Sequence, residues 1–365
     1  MPSPPLIDEL EPGSVAHSLL TGADGCNRTV GRAFDEQYVM KTGAIFCGLV
    51  FVFVTGCSTD AGSSQAGHPP AASPSPTAVN PAALSCRLPV TSPTSDGQAP
   101  GGWVTFPAGD FARDPASLPG RLQTDVPSYD RAISGWVPVS LEKVAPDGSA
   151  YVVHNDPIVK TNGFYMVDAR TGARRLITAA DGPPQAPGSW AVVDYASAGI
   201  YLWSVGMLTV PGLWLLDPQT GNVRLVNGSH FWSVVAGGAA WAIDQPGGAE
   251  AGTYNALYRL DLASGQVSIW YQTKGNVRLL SATPDGEVLI TEGDGYGVPE
   301  VVRGPKQISA LGILPGHPSV TGAYNTNPGT WLSLQGGGLA LYIKGIEATV
   351  VSNSPDIFNV AGGCW

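Results

Sequence analysis

Three stretches of this chain read almost alike: FYMVDARTGARRLI (164–177), LWLLDPQTGNVRLV (213–226) and LYRLDLASGQVSIW (257–270). Each is an apolar run, a turn, and a second run of strand formers. The turn opens on Asp168, Asp217 or Asp261, whose short side chain can bond its own following backbone. It closes on Gly172, Gly221 or Gly265, which can take a positive φ. Two degenerate copies follow, EVVRGPKQIS turning at Arg303 and LALYIKGIEATVV turning at Lys344, so the turn positions step by 49, 44, 42 and 41 residues.

A second turn precedes each of these by 16 to 24 residues. It is clearest as Pro146-Asp147-Gly148 and Pro284-Asp285-Gly286, with Asn327-Pro328-Gly329, Ala198-Gly199 and Gly237-Gly238 as looser versions. Each repeat then reads as four short antiparallel strands, in the first copy VSLEKVAP, AYVVHN, FYMVDA and ARRLIT. Four strands in about 40 to 50 residues is the dimension of a propeller blade. Five blades account for 136–353. The leftovers, CRLPV and GGWVTFPAG at one end and DIFNVAGGCW at the other, can make a sixth from both chain ends, since an open ring would leave two unpaired sheet edges. The expectation is an all-β, six-bladed β-propeller; a seventh blade would need a copy hidden in the Pro-rich stretch 109–135.

Composition agrees. The 365 residues include 47 Gly and 32 Pro but only 13% charged residues, which suits many short strands joined by turns better than long helices. A net charge of −10 without any basic run argues against a nucleic-acid surface, whose affinity rests on clustered Lys and Arg.

The pairing of VAPDGSAYVV with VDARTGARRLIT, and ATPDGEVLIT later, resembles the WD-repeat-like propellers of the TolB type, whose blades carry an S-P-D-G turn, an aromatic-rich strand and a D-x-x-T-G turn. The resemblance covers roughly 130 to 352 and implies the fold, with no single activity, because such propellers serve many roles. The stretches GGWVTFPAGDFARDP and SYDRAISGWVPV are similar to exported bacterial propellers of uncharacterised function with the same kind of tether.

Residues 42–56, TGAIFCGLVFVFVTG, form an apolar run between Lys41 and Cys57. It is short for a membrane span, which needs about 20 residues, and suits a signal-peptide core. Val54-Thr55-Gly56-Cys57 resembles the bacterial lipobox, implying cleavage before Cys57 and lipidation of it; a single-span anchor or a buried strand is the alternative. Met40 offers an alternative start that gives a compact signal. Removing 1–56, with six acids and three bases, changes the charge from −10 to −7. Residues 57–85 hold one charge and almost nothing large and apolar, a tether composition. The domain is then 86–365, and its two remaining cysteines, Cys86 and Cys364, read either as a disulfide across the chain ends or as two free thiols.

In such a blade the first and third turns share one face and the middle turn lies opposite with the blade-to-blade connections. The middle loops vary most, and variable loops on a rigid scaffold are where binding sites form. They bring His154, Asp156, Lys160, Asp244, Glu250, Tyr254, Glu292, Asp294, Tyr296 and Glu300 as the candidate binding face, against the alternative of solvated loop charge. Converging acids could hold a structural cation, since hard cations want oxygen ligands; otherwise neither cofactor nor metal is expected. H-E-x-x-H, G-x-S-x-G, Walker and paired C-x-x-C motifs are absent from the sequence. Trp190, Trp203, Trp214, Trp232, Trp241, Trp270 and Trp331 fall in or beside strands, where packing between blades is their expected role. These readings converge on a monomeric, lipid-anchored scaffold on the extracytoplasmic face of the cytoplasmic membrane, binding a protein, peptide or glycan. The alternative is a secreted hydrolase or lyase using mouth carboxylates such as Asp156, Asp244 or Asp294.

Overall fold

The computed structural model describes residues 83–117, 126–154, 163–178, 190–204, 210–244, 255–293, 297–312 and 319–365. Six antiparallel blades form a ring. Blade 2 is β9 (Trp190–Ala196), β10 (Gly199–Ser204), β11 (Leu213–Leu216) and β12 (Val223–Asn227). Blade 3 is β13 (Trp232–Ala236), β14 (Ala239–Asp244), β15 (Ala256–Asp261) and β16 (Val267–Gln272). Blade 4 is β17 (Val277–Ala282), β18 (Val288–Glu292), β19 (Pro299–Gly304) and β20 (Gln307–Ala310). Blade 5 is β21 (Val320–Thr326), β22 (Gly329–Leu334), β23 (Leu339–Tyr342) and β24 (Thr349–Ser352).

Blade 1 departs from the sequence expectation. Its outer strands are β6 (Ala150–His154), β7 (Gly163–Asp168) and β8 (Arg174–Thr178), but VSLEKVAP is no strand. It forms a 3-10 turn at Leu141–Lys143 and touches the sheet through one bridge, Val144 to Tyr151. Local bonds explain this: the Lys143 and Val144 N–H groups donate back to Ser140 and Leu141, and are lost to a ladder.

Both chain ends build blade 6. The innermost strand, β25 (Asn359–Val360), pairs with β1 (Arg87–Thr91), followed by β2 (Gly101–Thr105) and β3 (Asp110–Arg113). Cys86 and Cys364 are disulfide-bonded with their Cα atoms 5.7 Å apart, and Arg87 and Trp365 exchange backbone hydrogen bonds at 3.0 and 2.9 Å. The stretch a seventh blade would have needed supplies β3 and a two-stranded hairpin, β4 (Ser128–Asp130) with β5 (Gly135–Val137). That hairpin bridges blades 6 and 1: the Tyr129 N–H donates to the Ala361 carbonyl, and the Asp130 carboxylate lies where a side chain on Gly148 would be.

The core lies between blades. Inner strands are apolar on both faces because each blade is covered on both sides, so LWLL of β11 is buried throughout, whereas VSIWYQ of β16 at the rim is largely open. Trp232, Trp241 and Trp331 are wholly buried, and the first two pack in the clusters joining blade 3 to blades 2 and 4. Phe106 of blade 6 meets Trp331 of blade 5 at 5.3 Å between rings. The repeat signature is a turn lock: Asp168 accepts from the Thr171 N–H and hydroxyl at 2.7 and 2.8 Å, and Asp217 and Asp261 do the same with Thr220 and Ser264. Gly172, Gly221 and Gly265 follow at φ of 71°, 77° and 73°. The fourth copy turns at Pro305 and Lys306, two residues beyond Arg303.

Candidate functional site

Three places gather polar side chains. The first is the axis. The innermost elements of the blades are the Leu141–Lys143 turn, β9, β13, β17, β21 and β25, so side chains from blades 2 and 5, opposite each other in a ring of six, can meet only across the central channel. Asp194 of β9 and Tyr324 of β21 do so, with Glu142 beside them. Burial lifts the Asp194 carboxyl to about 6, and the Glu142 charge adds to the effect. Burial pushes the Tyr324 hydroxyl up to about 12, with Glu142 and Asp194 contributing. A cavity of about 210 Å³ opens beside them, lined by Glu142, Tyr324, Ser140, Ser333 and Asn359. A carboxyl whose ionisation is shifted toward neutral pH is a group that can hold and pass a proton.

The second place is the long-loop end of blade 3. Asp244 closes β14 and His230 lies on the connection into β13. Nδ1 of His230 stands 3.0 Å from Oδ2 of Asp244, and since a carboxylate can only accept, the ring nitrogen is the donor of this bond. The imidazole stacks on Tyr258 at 3.9 Å and stands edge-on to Trp232 at 5.4 Å. In blade 4, Glu292 ends β18 and Glu300 lies within β19. Ile290 pairs with Glu300, which puts both glutamates on the face turned to blade 3. Burial, then Glu292, raises the Glu300 carboxyl, and its Oε2 is buried without a partner.

The third is a cleft of about 330 Å³ on the opposite, short-turn face, between blades 4 and 5, walled by Pro284, Pro328 and Ile343. Its polar groups satisfy one another. Glu287, almost fully buried, accepts from Arg303 Nε at 2.8 Å and from the Tyr342 hydroxyl at 2.9 Å, while Arg303 also donates to that hydroxyl at 3.0 Å. Lys344 pairs with Asp285 at the rim. Asn325 donates to Ser281 and to the Ala282 carbonyl.

Of the residues expected on the binding face, Asp244, Glu292 and Glu300 are placed at the long-loop end of blades 3 and 4, Glu300 within a strand and not in a loop. His154 ends β6, and its side chain lies outside the described residues, as do Asp156, Lys160, Glu250, Tyr254, Asp294, Tyr296 and the lipobox Cys57. Sequence reading did not single out Asp194. A signal was there: WAVVD in β9 aligns with WSVVA in β13, so Asp194 stands where the next copy has Ala236. Among the described residues no group of three His, Cys, Asp or Glu side chains could hold a metal ion.

No family model matches the chain, and no curated protein matches it in sequence. Similar solved structures include the β-propeller domain of the Trilobed protease from Pyrococcus furiosus, with a TM-score of 0.44 and 11% identity over 74% of this chain and 84% of that one. TolB from Acinetobacter baumannii gives 0.35 and 16% over 72% and 65%. Acylaminoacyl peptidase from Pyrococcus horikoshii gives 0.41 and 11% over 76% of this chain but only 44% of that enzyme. At these identities the likeness is one of fold.

Proposed function

We propose that this chain is a lipid-anchored extracytoplasmic propeller that binds a protein, peptide or glycan through its long-loop face. The observation that carries the reading is the His230–Asp244 pair stacked on Tyr258. It is a polar and aromatic platform held in place at the root of the blade 3 loop, and a fixed platform loses little conformational freedom when a ligand settles on it. The VTGC stretch and the sparse composition of 57–85 support export, lipidation at Cys57 and a tethered domain working as a monomer at the cytoplasmic membrane. Capture experiments with the full chain test the binding role. Exchanging loop 244–255 for a Gly-Ser segment is expected to abolish capture of the partner, and unchanged capture would overturn the reading. Mass spectrometry of membrane fractions is expected to find diacyl modification on Cys57; a mature form beginning elsewhere would refute the anchor.

A second reading, a hydrolase or lyase working through carboxyl groups, is favoured by the Asp194 carboxyl at the axis, raised to about 6 by burial and then by the Glu142 charge. It would require turnover that Asp194→Asn removes while the melting temperature holds.

A further inference from the structure

Outside the long-loop face, the seam of the ring carries a ladder of aromatic rings capped by arginines. Trp103, Tyr129 and Trp365 pack on one another edge to face, Trp103 to Tyr129 at 4.7 Å, Tyr129 to Trp365 at 5.0 Å and Trp103 to Trp365 at 6.4 Å. The Arg87 guanidinium lies 4.5 Å over Trp103 and that of Arg131 lies 5.1 Å over Trp365. Trp365 is 39% exposed, unusual for a large ring, and both arginines face solvent.

Among the described residues neither cation is in an ion pair. Among the described residues no carboxylate hydrogen-bonds to either guanidinium. Asp114 feels the Arg87 charge, but its oxygens are taken by the Trp103 and Trp136 indole N–H groups at 2.8 and 2.9 Å and by the Ala116 N–H. In a protein of net charge −10, these two exposed arginines, outside any ion pair among the described residues, flank an exposed tryptophan. The ladder is also rigid: Arg87 and Trp365 are joined by two backbone hydrogen bonds and flanked by the Cys86–Cys364 disulfide. Tryptophan, tyrosine and arginine, held in advance of binding, are the residues that dominate protein–protein contacts.

We propose that this seam ladder is a second docking surface, separate from the long-loop face, and that its occupant is an acidic peptide segment of a partner protein. A guanidinium stacks over each indole, where it competes with a neutral sugar ring for that face. What remains open is the edge of each guanidinium, a fork of N–H donors matched to a carboxylate, and the exposed part of Trp365. A peptide that alternates carboxylates with aliphatic side chains offers both.

The test uses the full chain and three probes: a decapeptide alternating Glu and Leu, its Lys and Leu counterpart, and hyaluronate as an anionic glycan. Binding is followed by calorimetry at low and high salt, with Arg131→Gln, Arg87→Gln and Trp365→Ala variants whose melting temperatures are checked first. Arg131 makes only a stacking contact and a backbone bond, so its replacement leaves the fold intact. The expected result is that the Glu and Leu peptide alone binds appreciably, that added salt weakens it, and that each arginine replacement weakens it about ten-fold, the equivalent of about 1.4 kcal/mol. Equal affinity for the Lys and Leu peptide, tighter binding of hyaluronate, or an Arg131→Gln variant that binds as well as the parent would each overturn the proposal.

Discussion

Asp194 and Tyr324 face each other across the ring axis, one from blade 2 and one from blade 5, 130 residues apart in sequence and opposite in space. Glu142 lies near enough for its charge to act on both. Burial, and then the neighbouring carboxylate charge, makes ionisation of Asp194 and of Tyr324 harder. The folded chain keeps Asp194 protonated up to about pH 6, while an unfolded chain loses that proton near 3.8.

Stability should consequently fall as pH rises through this window. Between about 4 and 6 the folded state binds more protons than the unfolded one, so this group favours folding most below 4 and costs up to about 3 kcal/mol once ionised. Asp194→Asn, which keeps the shape and cannot ionise, should raise the melting temperature at pH 7.5 and leave it unchanged at pH 4. Thermal melts across pH 4 to 8 decide it; parallel curves for the two proteins would remove Asp194 from the account.

Reduction should open the seam. The Cys86–Cys364 bond spans 278 residues and stabilises by up to about 5 kcal/mol on a chain-entropy basis. Cys364→Ser, or the parent in excess reductant, should melt at a clearly lower temperature, and the two treatments should not add. A melt unaffected by reductant would mean that β25 pairing alone holds the ring.

Tyr342→Phe should destabilise by about 1.5 to 3 kcal/mol, because the buried Glu287 carboxylate loses one of its two side-chain donors. Glu287→Gln is the companion variant, and a double-mutant cycle on chemical denaturation reads the coupling. Additive effects would show that Arg303 alone neutralises Glu287.

Gly101→Ala should lower stability by about 1 to 3 kcal/mol, since a methyl there would fall within the Trp136 ring. The strain should release the hairpin β4–β5 from blade 6. Tryptophan emission shifted to the red while strand circular dichroism is kept would mark that release; unchanged emission would mean the ring simply moves aside.

The architecture was legible because it repeats. Asp168, Asp217 and Asp261 recur with a Gly four residues later, and each copy carries the same two hairpins, so period and turn chemistry agree. The sixth blade could be inferred from an edge that had to be covered. Blade 1 was harder. In VSLEKVAP the apolar residues alternate well enough for a strand, but Ser140 and the backbone at Leu141 bond locally and break the ladder. The candidate site was read unevenly: Asp244 and Glu292 stand where the loop argument put them, while Glu300 is a strand residue whose pairing with Ile290 turns it inward. The axial group went unread because its members come from three elements that only ring closure brings together.

Blade 6 takes its central strand from one end of the domain and its other three from the opposite end. A nascent domain therefore carries bare sheet edges until β25 emerges, and those edges are templates for aggregation. Closure of the ring is then a single late step, completed when β25 pairs with β1 and Cys364 reaches Cys86. A chaperone that shields β1 during that interval would matter more to yield than any surface residue.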